Sequence, residues 1–336
     1  MSRTRVMVTG TGPLGVGAGL VRCLRHHPDL YEIWAANMNE YAAALYENHC
    51  GVLLPKAYDE GYLTCVLRAV EHGKIQFLIP GSEPELVVLS KHHEEFRKRD
   101  CYLLANPPEV VEIGDDKYRT YEFLSKAGIR TPFTTLEIVP ASLGKVGLPC
   151  IYKPRSGGGS RDVYTIRSEE QFLRLRHSME AKGASMVLQQ LIGDMDDEFT
   201  ASALMDFDGN LIGTFAARRN LIGGATGRVD IEEYPEIQQI ALDVAKAIGA
   251  RGSINVQGRI TPNGPSLFEI NPRFSGSAPF RALAGFNEPH LLIQSILAGR
   301  PVEVPPIRYS TFGVRAFDEF LYPSEVKEGL LRFNKP

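Results

Sequence analysis

Short apolar runs alternate with amphipathic segments along the first third of this 336-residue chain. Buried strands are predicted at three of these runs, residues 5–9, 32–36 and 77–79. Helices are predicted at the amphipathic segments, residues 20–26, 42–48, 61–71 and 86–96. Such β–α alternation is typical of a doubly wound, mostly parallel sheet. We therefore predict a Rossmann-like domain over residues 1–108, which ends at a proline-rich linker.

The hydrophobic pattern changes after this linker. A small lobe over residues 109–187 is predicted from two helices, 116–126 and 169–178, and two strands, 150–153 and 163–166. Residues 188–336 form the third predicted unit. From Met186 onward strands dominate the pattern, at 186–191, 198–205, 211–217, 252–260 and 266–270, with helices at about 235–249 and 288–298. The fold class predicted from these units is α/β with α+β lobes.

Composition and charge exclude several classes of protein. The net charge is −3 and no basic stripe is present, so a nucleic-acid partner is not expected. No apolar run approaches the length that spans a membrane. The five cysteines are far apart and form no C-x-x-C motif, which argues against a disulfide framework or a zinc site. We expect a cytoplasmic protein with reduced thiols.

The first glycine motif follows the first predicted strand. Residues 10–15 fit G-x-G-x-x-G literally, between a strand and a helix, which is the context of a dinucleotide-binding turn. That fingerprint also needs an acidic residue at the end of the second strand, where Asn37 stands instead. Two interpretations stay open: an NAD site, or a tight strand-to-helix turn that glycine permits.

A second glycine motif follows Lys153, which closes a predicted strand. The loop after it contains Gly157, Gly158 and Gly159 between Ser156 and Ser160. Backbone N–H groups of such a loop can surround phosphate oxygens, and Lys153 can add a positive charge. The sequence is not a Walker A loop. The alternative is a mobile surface hairpin.

A candidate metal site lies on two later strands. The turn over 261–264 predicts a hairpin that brings Gln257 close to Glu269. Strand periodicity puts Glu269 and Asn271 on one face. One carboxylate and two amide oxygens form a ligand set that suits Mg²⁺ or Mn²⁺. The alternative is the solvated polar face of a hairpin.

Two arginines lie just beyond this hairpin. Arg273 or Arg281 could hold a phosphate or a substrate carboxylate with its planar guanidinium. Each could instead form only a salt bridge at the surface or between domains. Arg273 is favoured, because it lies two residues from a proposed metal ligand.

Together these segments resemble the ATP-grasp superfamily, and specifically the ATP-grasp unit of carbamoyl phosphate synthetase large subunit and stand-alone carboxylate–amine ligases. The resemblance covers almost the whole chain. It implies that Gln257, Glu269 and Asn271 bind Mg²⁺ and that Arg273 contacts phosphate or the reaction intermediate. It also implies that ATP is bound by Lys117, Lys153, Ser156, Gly158, Gly159, Ser160, Gln189, Gln190, Leu191, Ile192 and Glu198. The family's usual glutamate in the adenine-lining segment is replaced by Gln190.

The resemblance also implies an activity: phosphorylation of a carboxylate by MgATP, followed by attack of an amine or similar nucleophile on the acyl phosphate. Catalytic roles are expected for Lys153 and Arg273. The first domain would help to form the substrate cleft, with Glu83 in a cleft-facing turn. Substrate contacts are expected from Glu83, Arg219, Arg273 and Arg281. The arginine-rich segment 218–228 suggests an anionic, amino-acid-like substrate, although an exposed loop is the alternative.

Two other activities stay open on the sequence alone. One is a phosphotransferase that makes an acyl or carbamoyl phosphate without ligation. The other is an NAD-dependent oxidoreductase based on residues 10–15. We expect small-molecule carboxylate and nucleophile partners, with no nucleic acid and no membrane. The oligomeric state stays open, with a homodimer as one possibility.

Overall fold

The computed structural model describes residues 3–13, 15–159, 161–194, 197–300 and 302–333. Its strands are β1 (Thr4–Val8), β2 (Tyr31–Asn37), β3 (Cys50–Leu53), β4 (Phe77–Ile79), β5 (Tyr102–Leu103), β6 (Thr134–Thr135), β7 (Cys150–Pro154), β8 (Tyr164–Ile166), β9 (Met186–Gln190), β10 (Glu198–Met205), β11 (Leu211–Ile222), β12 (Ala225–Ile231), β13 (Gly252–Thr261), β14 (Gly264–Asn271), β15 (Thr311–Val314) and β16 (Leu331–Arg332). Its helices are α1 (Val16–Arg25), α2 (Tyr62–Gly73), α3 (Glu83–Leu89), α4 (His93–Arg97), α5 (Pro108–Asp115), α6 (Lys117–Lys126), α7 (Ser142–Val146), α8 (Glu169–Ala181), α9 (Pro235–Ile248), α10 (Ala278–Leu283) and α11 (Glu288–Ala298).

The N-terminal part forms a parallel six-stranded sheet in the order β16-β3-β2-β1-β4-β5. The central strand β1 is buried on both faces, because Val6 and Val8 enter one core and Met7 enters the other. Burial on both faces explains why this strand reads as a continuous apolar run in the sequence. The predicted parallel sheet is confirmed. Its outermost strand, β16, returns from the other end of the described chain.

The middle of the chain forms a four-stranded antiparallel sheet in the order β6-β9-β7-β8. Helices α7 and α8 cover it, and Tyr152, Phe172 and Leu188 are buried between helices and sheet. The turn after β7 is the second glycine motif, so this sheet carries that loop toward the neighbouring units.

The third sheet has six antiparallel strands in the order β14-β13-β10-β11-β12-β15. One face packs against α9, and Val110 of α5 and Leu124 of α6 join the same core. The opposite face shares a core with the N-terminal sheet, in which Phe215 and Phe286 lie in one cluster with Leu20 and Ile33. The helix α6, predicted within the middle unit, therefore packs on the C-terminal sheet.

Six of the described strands were not predicted: β3, β5, β6, β12, β15 and β16. The segment 218–228, for which an exposed loop was the alternative, is a β-hairpin in which β11 pairs with β12. Its turn contains Gly223 and Gly224 at φ +58° and +79°, the positive values that a tight two-residue hairpin requires. Strand β3 follows the segment 42–48. A helix was expected over that segment, but only the short turn Ala43–Leu45 is helical.

Candidate active site

A cavity of about 1260 Å³ lies where the three sheets meet. Its wall combines the glycine loop after β7, the β13–β14 hairpin, the β11–β12 hairpin and two turns of the N-terminal domain. The side chains that line it include seven cations and four carboxylates. An excess of cations in an enclosed cleft favours an anionic ligand.

The predicted metal ligands lie side by side on the β13–β14 hairpin. Gln257 pairs with Glu269 and Asn255 with Asn271, so the predicted proximity of Gln257 and Glu269 is present in the structure. The register shifts by one residue after this pair, because Phe268 on β14 has no partner on β13. Gln257, Glu269 and Asn271 all face the cavity.

The chemistry of these three side chains fits a hard divalent cation. Within the described ranges, the side-chain oxygens of Gln257 and Glu269 have no hydrogen-bond partner. Asn271 Oδ1 accepts a hydrogen bond from Arg273 Nη2 at 3.1 Å. Among described residues, no group of three His, Cys, Asp or Glu side chains could hold a metal by itself. An oxygen set with a single carboxylate is what Mg²⁺ uses when phosphates and water complete its shell.

Lys153 is the most deeply placed cation of the cavity. Its Nζ donates to Gln189 Oε1 at 2.7 Å, and Gln189 Nε2 donates to Thr134 Oγ1 at 2.9 Å. Burial lowers the pKa of Lys153 to about 8, against the opposing attraction of Glu269. The ammonium also lies 5.5 Å from the centre of the Phe268 ring. Lys153 is therefore a pre-positioned cation whose charge an incoming anion would stabilise.

The start of α6 holds the glycine loop in place. Lys117 Nζ donates to Gly157 O at 2.6 Å, and Arg155 Nη2 lies 2.7 Å from Asp116 Oδ2. Asp116 also caps α6 by accepting from two backbone N–H groups. Although burial opposes it, hydrogen bonding from Arg155 and from these N–H groups lowers the pKa of Asp116. Lys117, Ser156, Gly158 and Gly159 all line the cavity, whereas Ser160 lies outside the described residues.

Glu198 forms a buried ion pair on neighbouring strands. Arg219 Nε donates to Glu198 Oε1 at 2.8 Å, and Arg259 Nη2 lies 3.9 Å from Glu198 Oε2. Arg259 also donates to the backbone oxygen of Ile192 at 3.2 Å. Gln190 and Ile192 line the same cavity as Glu198; Leu191 is not among its lining residues. The predicted ribose-binding carboxylate is thus present in the cavity but paired with a predicted substrate arginine.

The β13–β14 hairpin carries the three proposed metal ligands and is named the metal hairpin for them. Arg273 joins this hairpin to the N-terminal domain. Its guanidinium donates to Glu83 Oε1 through Nε at 2.9 Å and also through Nη2. This contact with Arg273 lowers the pKa of the Glu83 carboxyl despite its burial. The predicted cleft-facing turn therefore does contact the proposed phosphate-binding arginine.

Arg281 is not brought to the cavity. It is fully buried and forms an ion pair with the equally buried Glu288, with Nη1 3.0 Å from Oε2. Its Nη2 donates to Asn255 Oδ1 at 2.6 Å and to Thr200 Oγ1 at 3.0 Å. Because Arg281 is fully buried and does not line the cavity, it supports the sheet from beneath, and a substrate contact is no longer expected of it.

The first glycine motif is used for close backbone packing. A Cβ at Gly15 would lie 2.9 Å from Gly10 O, and one at Gly17, just beyond the motif, would lie 2.3 Å from Thr9 O. Gly10 adopts φ +59° beside the buried carboxyl of Glu85. These contacts hold α1 against the end of β1, which is the tight-turn interpretation of the motif.

Two cationic residues of the cavity, Arg259 and Arg315, were missed from the sequence. The sequence could have predicted Arg259 as a residue of the cavity. It lies two residues after Gln257 on the same strand, and side chains two residues apart on a strand lie on one face. Arg315 comes from a distant segment and had no such signal.

Comparisons with known proteins agree with this geometry. A family model described as "ATP-grasp in the biosynthetic pathway with Ter operon" matches residues 184–319. Another, described as "PylC-like, N-terminal domain", matches residues 13–104. The fold is similar to N5-carboxyaminoimidazole ribonucleotide synthetase from Thermus thermophilus, with a TM-score of 0.69, 20% identity, and 90% and 81% of the two chains covered. It is also similar to biotin carboxylase from Campylobacter jejuni in complex with β,γ-ATP, with a TM-score of 0.68, 17% identity, and 93% and 74% covered.

Residues 184–319 therefore match an ATP-grasp family model, and the fold of the chain is similar to those of the two solved enzymes. The sequence is similar to the carbamoyl phosphate synthase large chain of Campylobacter jejuni, at 22% identity over 98% of this chain and 32% of that one. The corresponding protein of Thermoplasma acidophilum is 24% identical over 83% of this chain and 29% of its own length. The predicted resemblance and the predicted fold class are confirmed. The chain spans about a third of the length of these relatives.

Across the described part of the chain, no helix combines the length and the apolar character needed to span a bilayer. The five cysteines are all free thiols.

Proposed function

We propose that this protein is an ATP-dependent ligase that phosphorylates a carboxylate and couples the resulting acyl phosphate to an amine or a similar nucleophile. One observation carries the proposal: Gln257, Glu269 and Asn271 face the same cavity as Lys117 and Lys153. Oxygen ligands for a divalent cation beside two lysines are the groups that a nucleoside triphosphate requires. The proposed substrates are small molecules of amino-acid-like character.

The chain's own residues have distinct tasks in this reaction. Lys117, Lys153 and Arg273 neutralise charge on the phosphates, while the glycine loop excludes water from the acyl phosphate. Mg²⁺ or Mn²⁺, held by Gln257, Glu269 and Asn271, would draw electrons from the phosphate oxygens and so favour phosphoryl transfer. Glu198 and the segment 189–192 are the proposed contacts of the nucleoside.

The chemistry has two steps. A carboxylate oxygen attacks the γ-phosphorus of ATP, and the bond from that phosphorus to the bridging oxygen breaks, so that ADP leaves with the electron pair. The amine nitrogen then attacks the acyl carbon, the bond from this carbon to the phosphate oxygen breaks, and phosphate leaves. The nitrogen loses its proton to solvent. Positioning and electrostatic stabilisation supply most of the catalysis in such reactions.

The cellular location and the assembly are separate proposals. We infer a cytoplasmic protein because its five cysteines are free, and reducing compartments keep thiols in that state. A homodimer is proposed as its assembly, to be measured by light scattering.

The proposal is tested by ADP release. Purified protein with MgATP and amino acids, singly and in pairs, is expected to produce ADP, phosphate and a ligated product of the corresponding mass. Hydroxylamine should trap the acyl phosphate as a hydroxamate. Accumulation of a phosphorylated product with no second substrate would identify a phosphotransferase instead. Absence of MgATP binding would rule out both activities.

A pH profile tests the role of Lys153. Its folded-state pKa is about 8, so the ammonium is charged below pH 8 and becomes neutral above it. If phosphates bind the charged form, kcat/KM for MgATP should fall about tenfold per pH unit above pH 8, because this parameter reports the free enzyme. Arginine stays charged over this range, so Lys153→Arg should remove that decline. A wild-type profile that stays flat to about pH 9.5 would contradict the assignment.

A further inference from the structure

A hydroxyl and a carboxyl form a hydrogen-bonded pair between β4 and α3. Ser82 lines the cavity, and its Oγ donates to Glu85 Oε2 at 2.7 Å. Glu85 itself is buried and is not among the described residues that line the cavity. A Cβ at Gly10, which also lines the cavity, would lie 2.6 Å from Glu85 Oε2. The carboxyl therefore lies just behind the cavity wall, and the Ser82 hydroxyl connects it to that wall.

The hydroxyl of Ser82 is not used to cap the helix. Residues 82–85 follow the S-x-x-E pattern of a capping box, in which the serine hydroxyl accepts from a backbone N–H of the first turn. Ser82 does occupy the N-cap position of α3, but its side chain makes no capping hydrogen bond. Its hydroxyl donates to the Glu85 carboxyl instead. Helix capping therefore does not account for this pair.

The turn that contains Ser82 lies beside the proposed phosphate site. Glu83 Oε1 accepts from Arg273 Nε at 2.9 Å, and Arg273 Nη2 in turn donates to Asn271, a proposed metal ligand. The glycine loop is also close, because a Cβ at Gly158 would lie 3.2 Å from Glu83 Oε1. Ser82 immediately precedes Glu83 in the chain. Ser82 is therefore near the place where the acyl phosphate is proposed to form.

The surroundings of Glu85 favour uptake of a proton. Burial raises the pKa of the Glu85 carboxyl, although the hydrogen bond from Ser82 opposes this shift. Tyr62 of α2 is the titratable neighbour, and its own pKa is raised well above the usual value by burial and by the charge of Glu85. Among the described residues, no cation lies at salt-bridge distance from Glu85. A carboxyl in such a site is a stronger base than an exposed one.

We propose that Ser82 and Glu85 relay the proton of the attacking amine, with Ser82 in contact with the nucleophile and Glu85 as the acceptor behind it. This inference rests on the proposed ligase function and concerns its second step. As the nitrogen bonds to the acyl carbon and phosphate leaves, the N–H proton passes to Ser82 Oγ, while the hydroxyl proton of Ser82 passes to Glu85 Oε2. After the product has left, Glu85 gives the proton to solvent through the same hydroxyl.

Two nucleophiles separate this proton transfer from formation of the acyl phosphate. At neutral pH the amine of an amino acid is mostly an ammonium ion, whereas hydroxylamine is mostly neutral. We measure amide and hydroxamate formation with MgATP and each amino acid that supports ADP release. Glu85→Gln keeps the shape of the side chain but cannot take up the proton. It is expected to lower the ratio of amide to hydroxamate about 100-fold, while ADP release with hydroxylamine stays within about threefold of wild type.

The dependence on pH gives a second readout. Glu85 accepts a proton only in its ionised form, and its folded-state pKa is raised by burial. The advantage of wild type over Glu85→Gln in amide formation should therefore shrink as the pH falls through that pKa. A purely structural role of Glu85 would give the same difference at every pH.

Variants of Ser82 test the connection between the carboxyl and the cavity. Ser82→Ala removes the hydroxyl and should lower the ratio of amide to hydroxamate to a similar extent, which provides a second variant if Glu85→Gln disturbs folding. Ser82→Thr keeps a hydroxyl and should hold the ratio within about threefold of wild type. Glu94→Gln is the matched control, because Glu94 is an exposed carboxylate of the same domain in the first turn of α4. It should behave as wild type.

Either of two results would overturn the inference. One is an unchanged ratio of amide to hydroxamate in Glu85→Gln. The other is an equal loss of both products in Glu85→Gln and Ser82→Ala, which would assign the pair a structural role in holding the turn. Failure of the proposed function is distinguishable, because it would appear in wild-type protein as absence of ADP release or of amide formation.

Discussion

Replacing Glu269 by glutamine is expected to lower MgATP-dependent ADP release by about 10³-fold or more. Glu269 is the single carboxylate among the proposed cation ligands, and within the described residues nothing compensates its charge by hydrogen bonding. The amide has the same shape but carries no charge, so it would bind the cation much more weakly. The effect should appear in kcat as well as in the concentration of Mg²⁺ needed for half-maximal rate.

The stability of this variant should change little, because the side chain faces a cavity and makes no hydrogen bond that the substitution removes. Thermal unfolding without nucleotide checks this. Glu236→Gln, an exposed carboxylate in the first turn of α9, is the matched control and should keep wild-type turnover. If Glu269→Gln released ADP at more than about a tenth of the wild-type rate, the cation site would have to be assigned elsewhere.

The metal hairpin could be predicted because its signals are local. A proline-asparagine-glycine turn lies between two strands of alternating character, so the register that pairs Gln257 with Glu269 follows from a few neighbouring residues. The parallel sheet was predictable for a similar reason, since its strands are apolar runs between amphipathic helices. The family resemblance then assigned roles to residues whose chemistry was already apparent.

The parts that could not be predicted depend on distant contacts. The sequence favours Arg273 over Arg281 as an anion contact but does not show the partner of either. Packing pairs Arg281 with Glu288 beneath the sheet and Arg273 with Glu83 in the cavity. Arg315 reaches the cavity only because β15 pairs with β12, a strand that the arginine-rich sequence did not reveal. Tertiary contacts decide which residue each arginine pairs with, and the periodicity of the sequence does not predict those contacts.

The largest loss of stability is expected from Arg281→Met. This substitution would leave the Glu288 carboxylate fully buried beside Ser253, its remaining hydrogen-bond donor at 2.9 Å. An uncompensated buried charge typically lowers the free energy of unfolding by about 3–5 kcal/mol. Asn255 and Thr200 would also lose the donor that joins β10 and β13 to the helix region. Urea unfolding of the purified variant measures the change.

Removing both charges distinguishes this mechanism from loss of packing. Arg281→Met combined with Glu288→Gln leaves no unpaired ion, so most of the lost stability should return. Arg176→Met breaks the exposed pair with Glu180 and should change the free energy of unfolding by less than about 1 kcal/mol. A double variant no more stable than Arg281→Met would mean that the guanidinium stabilises the sheet through Asn255 and Thr200. In that case the metal hairpin, in which Asn255 pairs with Asn271, would be the part that Arg281 supports.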